Sequence, residues 1–184
     1  LEIYYMPKNV LIISSSPRKG ANSDTLCDQF YVGVLDAGHN VEKIFLKDKN
    51  INYCTGCGYC NEHKKCSQHD DMAEILDKMV KADVIVLATP MYFYTISGQL
   101  KTFIDRCCAR YTEISNKKFY YIFTAAEPSE NAIKRAQIEL GGFLACLENP
   151  TIVDEIHATG VWKGGDIYGT NYPQKAYAMG YAVN

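Results

Sequence analysis

Residues 9–23, NVLIISSSPRKGANS, decide the fold of this chain. The run from Asn9 to Ser14 is almost wholly apolar, which is typical of a strand buried on both faces of a parallel sheet. The hydroxyl residues, Pro17 and Gly20 that follow are typical of a turn. A helical pattern then begins near Ser23. The stretch therefore predicts a buried strand, a polar loop and a helix.

The same alternation of strand and helix patterns recurs along the rest of the chain. Apolar runs predict further strands at 41–46, 83–88, 118–123 and 151–156. Helical periodicity predicts helices at 23–37, 71–81, 97–110, 129–147 and 173–183. One helix start carries a local signal, because the residues from Asp71 to Glu74 fit a capping box. Strands that alternate with helices through right-handed crossovers form a doubly wound parallel sheet, so the predicted class is α/β.

Length and composition favour one domain over 1–184. A chain of 184 residues with 47% hydrophobic residues can bury one sizeable core and is short for two ordinary domains. Within this domain we expect a cysteine-rich insertion at 50–67 and a C-terminal tail at 158–184. Residues 1–5 are interpreted as a tag or a native extension and are left out of the fold prediction.

The charge of the chain argues against two classes of partner. A formal charge of -2 and an isoelectric point near 6.1 provide no basic field for nucleic acid or for an anionic membrane surface. No apolar run approaches about 18 residues, and the first residues lack the pattern of a signal peptide. We therefore expect a soluble cytoplasmic protein.

The loop after the first strand has the chemistry of a phosphate cradle. In a doubly wound sheet the ligand crevice lies at the carboxyl ends of the strands, where this loop falls, and the following helix directs its positive end there. The P-loop and Gly-x-Gly-x-x-Gly motifs are both absent, which argues against an ATPase and an NAD-type Rossmann domain. An ordinary polar turn with a helix cap is the alternative. The candidate anion contacts are Ser14, Ser16, Arg18, Asn22 and Ser23.

An aromatic segment, TPMYFY at 89–94, follows the third predicted strand. Pro90 is predicted to end that strand. Aromatic side chains in the same crevice as the phosphate loop would supply the flat apolar wall that an isoalloxazine ring needs. Packing in the core or at a dimer interface is the alternative. The candidate ring contacts are Thr89, Pro90, Met91, Tyr92 and Phe93.

Four of the eight cysteines cluster at Cys54, Cys57, Cys60 and Cys66. Without a secretory signal, such clustering favours metal or redox chemistry over disulfides. Three cysteines spaced by three, with a fourth beyond a short spacer, are typical of the ligands of one iron–sulfur cubane. Zinc and reduced structural thiols are the alternatives. The remaining cysteines fall in helical patterns and are interpreted as small buried hydrophobes without chemistry; they are Cys27, Cys107, Cys108 and Cys146.

Together these segments resemble the NADPH-dependent FMN reductase family and its iron–sulfur flavoprotein branch. The resemblance runs from about 8 to 183 and rests on SSPRKGANS, on TPMYF leading into GQLKTFIDR, and on the compact cysteine spacing. It implies a three-layer flavodoxin-like fold with five parallel strands in the order 2-1-3-4-5. It implies phosphate contacts from Ser16, Arg18, Asn22 and Ser23, ring contacts from Pro90, Met91, Tyr92 and Phe93, and a third flavin loop with Thr124 and Ala125. Ser15 stands where the family usually has glycine, and Glu127-Pro128 replaces glycines in the third loop.

The resemblance also implies a function. FMN would be the cofactor, NAD(P)H the reductant, and the assembly a homodimer or homotetramer. We expect an FMN-dependent oxidoreductase that passes hydride through the flavin to a small acceptor: a quinone, a nitro compound, free flavin or a metal ion. No catalytic side chain is expected, because the cofactor performs the chemistry. The alternatives are an electron carrier with a [4Fe-4S] cluster on the four clustered cysteines and ferredoxin as partner, and a zinc-containing interaction domain.

Overall fold

Five parallel strands form the centre of the molecule in the order β2-β1-β3-β4-β5. The computed structural model describes residues 6–184, so the interpretation of residues 1–5 lies outside the described residues. The strand order and the predicted α/β class are confirmed. The strands are β1 (Asn9–Ser14), β2 (Asn40–Phe45), β3 (Val84–Pro90), β4 (Lys118–Thr124) and β5 (Thr151–Ala158).

Helices cover both faces of the sheet. Successive side chains of a strand point to opposite faces, so Ile12 of β1 packs towards α1 and α6, while Leu11 packs towards α3, α4 and α5. The periodicity does not predict the short helix α2. No helix of the described part, residues 6–184, is long and apolar enough to cross a bilayer. The helices are α1 (Asn22–Asp36), α2 (Tyr59–His63), α3 (Met72–Lys81), α4 (Gly98–Arg106), α5 (Asn131–Leu144) and α6 (Tyr172–Tyr181).

Helices α1 and α6 approach each other closely at two glycines. A Cβ atom on Gly180 would lie 2.2 Å from the carbonyl oxygen of Phe30, and one on Gly33 would lie 2.2 Å from that of Tyr177. Both separations are far inside van der Waals contact, so a larger residue at either position would force the helices apart. The predicted C-terminal tail thus carries a helix that is packed against α1.

Strand β3 ends at Pro90, as predicted, and extends two residues beyond the apolar run 83–88. Pro90 is in register with Thr124, and the Met91 amide donates to the Thr124 carbonyl at 2.8 Å. Successive amides of a strand point to opposite sides, so the amide that Pro90 lacks would face β1. The pairing of β3 with β1 ends earlier, at Ala88. The proline therefore removes no hydrogen bond from the sheet.

The predicted capping box at the start of α3 is wrong. Asp71 occupies the N-cap position, but its carboxylate accepts a hydrogen bond from the Asn50 amide at 2.7 Å. Glu74 forms an ion pair with Lys78 at 2.7 Å instead of reaching back to Asp71. The Asp71 carboxylate therefore connects the first residue of the cysteine-rich segment to the chain that follows the segment. Local sequence rules do not anticipate this long-range contact.

Candidate functional site

Buried hydroxyl groups join the three loops that the sequence assigns to the site. The Ser15 hydroxyl donates to the Ala88 carbonyl of β3 at 2.8 Å and accepts from the Ser97 hydroxyl at 2.9 Å. On the other side of the first loop, the hydroxyls of Ser23 and Thr124 lie 2.6 Å apart. The ends of β1, β3 and β4 therefore meet in one place, as a crevice at the carboxyl ends of the strands requires.

The first loop is held in shape by its own side chains. The Ser16 hydroxyl accepts from the Arg18 amide at 3.1 Å, and the Gly20 amide donates to the Asp24 carboxylate at 2.8 Å. Gly20 has a φ of 66°, which favours glycine. Ser15, which replaces the family's usual glycine, is not among the positive-φ residues. Serine is therefore accommodated there without backbone strain.

Sequence reasoning missed Asp24, which lies buried in the first turn of α1. Lys43 lies 2.9 Å from it and also pairs with Asp28. Burial lowers the pKa of Lys43, but its hydrogen bonds to the two aspartates outweigh burial and raise that pKa. The cation is therefore retained and compensates a carboxylate beside an anion site. An acidic residue in the first turn of a helix is the sequence signal that would have drawn attention to Asp24.

The donors of this loop fit a phosphate group. Ala21 occupies the N-cap position of α1 and provides no side-chain cap, so the first helical amides, at Asn22 and Ser23, face the loop without one. Arg18 is exposed beside them, whereas the exposed Lys19 forms an ion pair with Asp48. Amides of a first helical turn together with an exposed arginine form a ready site for an anion.

Two predicted phosphate contacts have other surroundings. The Asn22 side chain donates to the Lys163 carbonyl at 2.9 Å and accepts from the amides of Gly165 and Ile167 at 3.2 and 3.3 Å. It therefore binds the glycine-rich segment 163–167 to the start of α1. Ser14 is fully buried, and its hydroxyl has no hydrogen-bond partner within residues 6–184. Segment 163–167, whose role the sequence leaves open, therefore packs against the start of α1 beside the first loop.

The aromatic loop forms a tight turn that exposes its tip. Tyr92 and Thr95 exchange two backbone hydrogen bonds of 3.1 Å, and the residues between them, Phe93 and Tyr94, have φ values of 51° and 63°. Positive φ at both central residues is the type I′ arrangement, which ordinarily selects asparagine and glycine. Phe93 is 98% exposed. Strained residues held at a crevice are typical of ligand contacts.

Thr89 supports this loop from inside the protein. Its hydroxyl accepts from the Ser97 amide at 3.0 Å and donates to the Pro90 carbonyl at 3.0 Å, and the residue is fully buried. Thr89 therefore fixes the two ends of the loop, while Tyr92 and Phe93 offer the surface that a ring would contact.

The four clustered cysteines line one cavity of about 190 Å³, hereafter the cysteine pocket. Within residues 6–184, no three metal-binding side chains converge closely enough to hold a single ion. Hydrogen bonds from the Tyr59 amide and from the hydroxyls of Ser67 and Thr55 lower the pKa of the Cys57 thiol. The donor set, four soft thiols around one cavity, fits an iron–sulfur cluster whose irons each take one cysteine.

A buried ion pair anchors both ends of the loop that carries these cysteines. Arg106, at the end of α4, binds the Asp70 carboxylate through two hydrogen bonds of 2.7 and 2.9 Å, and it donates to the Asn52 carbonyl at 2.7 Å. The side chains of the pair are 1% and 0% exposed. Burial alone would raise the pKa of Asp70, but hydrogen bonds from Arg106 and from the amides of Asn52 and Met72 lower it to about 2.

The other cysteines divide into two groups. Cys27 and Cys107 are buried, as predicted, and burial raises the pKa of each thiol, that of Cys27 to about 12. For Cys108 and Cys146 the interpretation as buried hydrophobes is wrong, because both are exposed. The predicted helix through Cys108 ends at Arg106 and continues as a tighter turn over 107–109, which directs Cys108 into the cysteine pocket.

Comparison with known proteins agrees with this geometry. The family model for NADPH-dependent FMN reductase matches residues 8–163. The chain belongs to this family. An iron-sulfur flavoprotein of Archaeoglobus fulgidus is 42% identical over 94 residues, which cover 51% of this chain and 43% of that protein. An iron-sulfur flavoprotein of Methanocaldococcus jannaschii is 43% identical over 97 residues, which cover 53% of this chain and 50% of that protein. The chain spans about half the length of these two relatives.

Solved structures extend the likeness of this FMN reductase family member to nearly its whole length. The NAD(P)H:quinone oxidoreductase from Methanothermobacter marburgensis superposes with a TM-score of 0.77 at 17% identity and covers 96% of both chains. An FMN-dependent NADH-azoreductase from Bacillus anthracis superposes with a TM-score of 0.67 at 14% identity, over 94% of this chain and 97% of that one. At such identities the likeness establishes the shared fold.

Proposed function

We propose that this chain is an FMN-dependent oxidoreductase that takes electrons from NAD(P)H and delivers them to a small acceptor: a quinone, a nitro compound, free flavin or a metal ion. The observation that carries the proposal is the convergence of three loops at the ends of β1, β3 and β4, joined by the buried hydroxyl pairs Ser15–Ser97 and Ser23–Thr124. Membership of the FMN reductase family supports the same cofactor.

Different residues of the site would contact different parts of the cofactor. Arg18 and the first amides of α1 would bind the phosphate, and Pro90, Met91, Tyr92 and Phe93 would contact the ring. Thr124 and Ala125 are buried beneath the crevice and would form its floor. Bound FMN would supply the electron transfer, so the protein has to position the ring and leave one face open. The exposed aromatic loop leaves that face accessible to a small acceptor.

Two measurements test this proposal. FMN binding is followed by flavin fluorescence in the wild type and in Arg18→Ala, with Arg135→Ala on the exposed face of α5 as the control. Loss of one charged phosphate contact, about 1.5 kcal/mol, weakens binding about tenfold in the first variant and leaves the control unchanged. NADH or NADPH added without oxygen should then bleach the bound flavin. A protein that binds no FMN, or whose FMN neither nucleotide bleaches, is not this oxidoreductase.

A second candidate is an iron–sulfur flavoprotein that exchanges single electrons with ferredoxin. The cysteine pocket favours it, together with the relatives that bear that name. The ligands would be Cys54, Cys57, Cys60 and Cys66. A mononuclear zinc site would need its thiolates about 2.3 Å from one point, and within residues 6–184 no three ligands converge in this way. A cubane spreads its four thiolates over four irons. The zinc-containing interaction domain also leaves the two flavin loops without a role.

Metal analysis separates these candidates. Protein purified without oxygen is assayed for iron, labile sulfide, zinc and flavin in one sample, beside Cys57→Ser and the control Cys146→Ser. Iron and sulfide that are lost only in Cys57→Ser support the cluster. Zinc without iron supports the interaction domain. FMN without iron or zinc supports the FMN-dependent oxidoreductase that has no cluster.

We also propose a homodimer or homotetramer. Phe93, Tyr94 and Trp162 leave aromatic surface exposed near the crevice, and such surface commonly marks an interface. Sedimentation of the flavin-loaded protein tests this, and a monomer at micromolar concentration would contradict it.

A further inference from the structure

The cysteine pocket contains a fifth thiol that the proposed function does not use. Cys108 lies in the turn after α4 and lines the pocket together with the four clustered cysteines. Its Sγ lies 3.9 Å from the Sγ of Cys60, although 48 residues separate the two along the chain. Sulfur atoms in a disulfide are about 2.0 Å apart, so the pair is about 1.9 Å short of a bond.

Packing holds both partners near this distance. On one side Cys107 is buried, and its thiol donates to the Phe103 carbonyl at 3.4 Å, so the neighbouring Cys108 points outward. Arg106, two residues before Cys108, is fixed by the buried ion pair with Asp70. On the other side Cys60 lies in α2 and packs partly against the core.

The two thiols differ in accessibility, so a small disulfide in solution reaches Cys108 first. Cys108 is exposed, whereas Cys60 is half-buried. We propose that Cys60 and Cys108 form a reversible disulfide when the pocket holds no metal cluster, with a small disulfide such as oxidised glutathione as the oxidant. The Cys108 thiolate attacks one sulfur of the small disulfide and releases one small thiolate. The Cys60 thiolate then attacks the Cys108 sulfur and releases the second.

The exchange balances. The two protein thiols lose two protons and two electrons and gain one S–S bond, while the small disulfide loses its S–S bond and becomes two thiols. An excess of small thiol reverses both steps. The disulfide needs neither flavin nor cluster. One consequence rests on the proposed cluster: a disulfide would remove Cys60 from the cluster ligands, so iron could be loaded only after the disulfide is reduced.

Peptide mapping tests the pairing directly. The full chain, loaded with FMN and stripped of iron by a chelator, is incubated with oxidised glutathione, alkylated and digested with trypsin. Cleavage at Lys49, Lys64, Arg106 and Arg110 leaves Cys60 and Cys108 on different peptides. The wild type should yield a cross-linked peptide of 50–64 with 107–110 and should lose two alkylation sites. Fragmentation assigns the bridge to Cys60 and Cys108.

Two variants control the result. Cys108→Ser replaces an exposed side chain and should abolish the cross-link, leaving Cys60 free for alkylation; Cys146→Ser removes an exposed thiol elsewhere and should behave as the wild type. A bridge from Cys60 to another cysteine of the clustered loop in the wild type would overturn the proposal. Equal protection of Cys60 from alkylation in Cys108→Ser would also overturn it.

Iron loading separates this inference from the cluster proposal. Oxidised wild type should take up iron and sulfide only after dithiothreitol is added, whereas Cys108→Ser should take them up without it. If both load equally after oxidation, the disulfide does not control loading and that consequence is wrong. If neither loads under reducing conditions, the cluster proposal fails, while the peptide map still decides the disulfide.

Discussion

Replacement of Phe93 by asparagine should stabilise the flavin-free protein and weaken FMN binding. A left-handed conformation costs an ordinary residue about 1–2 kcal/mol, and asparagine adopts it far more readily. Phe93 has a φ of 51° and is 98% exposed, so the substitution removes strain without removing buried surface. We expect a gain of about 1 kcal/mol in the free energy of unfolding, which raises Tm by roughly 2–4 °C in a chain of this size.

The functional part of this prediction follows from the ring contact. An aromatic contact contributes about 0.5–1.5 kcal/mol, so the dissociation constant of FMN should rise by about twofold to about tenfold. Circular dichroism melts of the flavin-free protein measure the first effect, and fluorescence titration with FMN measures the second. Tyr53→Asn is the matched control, because Tyr53 is 80% exposed and is not among the positive-φ residues. A Phe93→Asn protein that melts no higher than the wild type would refute the strain argument, and unchanged FMN affinity would refute the ring contact.

Two further substitutions probe packing and charge. Gly180→Ala should lower the free energy of unfolding, measured in urea, by about 1–3 kcal/mol, because its Cβ would lie 2.2 Å from a carbonyl oxygen of α1. The control Gly142→Ala should raise the free energy of unfolding by about 0.4–1 kcal/mol, because nothing lies within 4 Å of the added atom. Asp70→Asn should lower the free energy of unfolding by about 3–5 kcal/mol, because it leaves Arg106 buried without its counter-charge. The control Asp105→Asn, at an exposed position, should change the free energy of unfolding by less than about 1 kcal/mol. The folded pKa of Asp70, about 2, lies below its ordinary value of 3.8, so its contribution is present above about pH 4 and is lost as pH falls towards 2. Urea melts of the wild type should show that loss, and those of Asp70→Asn should lack it; identical pH profiles would contradict the assignment.

The buried Asp70–Arg106 pair also connects the two parts of the proposed chemistry. Helix α4 begins at the end of the aromatic loop and finishes at Arg106, which holds the chain on both sides of the clustered cysteines. One helix therefore joins the candidate flavin crevice to the cysteine pocket.

The strands, the main helices and the place of the three loops follow from the sequence alone. Apolar runs and helical periodicity are local properties, and the carboxyl ends of parallel strands must meet at one edge of the sheet. The four clustered cysteines can also be recognised from the sequence, because they lie within one short segment. Even so, Pro90 shows the limit of local rules, since its fit in β3 depends on where the neighbouring strand β1 ends.

Tertiary structure alone decided which side chains are available to the site. Asn22 suits a phosphate by residue type, yet its amide binds segment 163–167, which lies about 140 residues away along the chain. Cys108 reads as a buried helical residue, yet the end of α4 directs it against Cys60. Such contacts depend on how the helices and loops pack on the sheet, because hydrogen-bond partners and thiol neighbours from distant segments meet only in the folded chain. The sequence by itself determines the scaffold and the candidate chemistry, and packing determines which groups face each other.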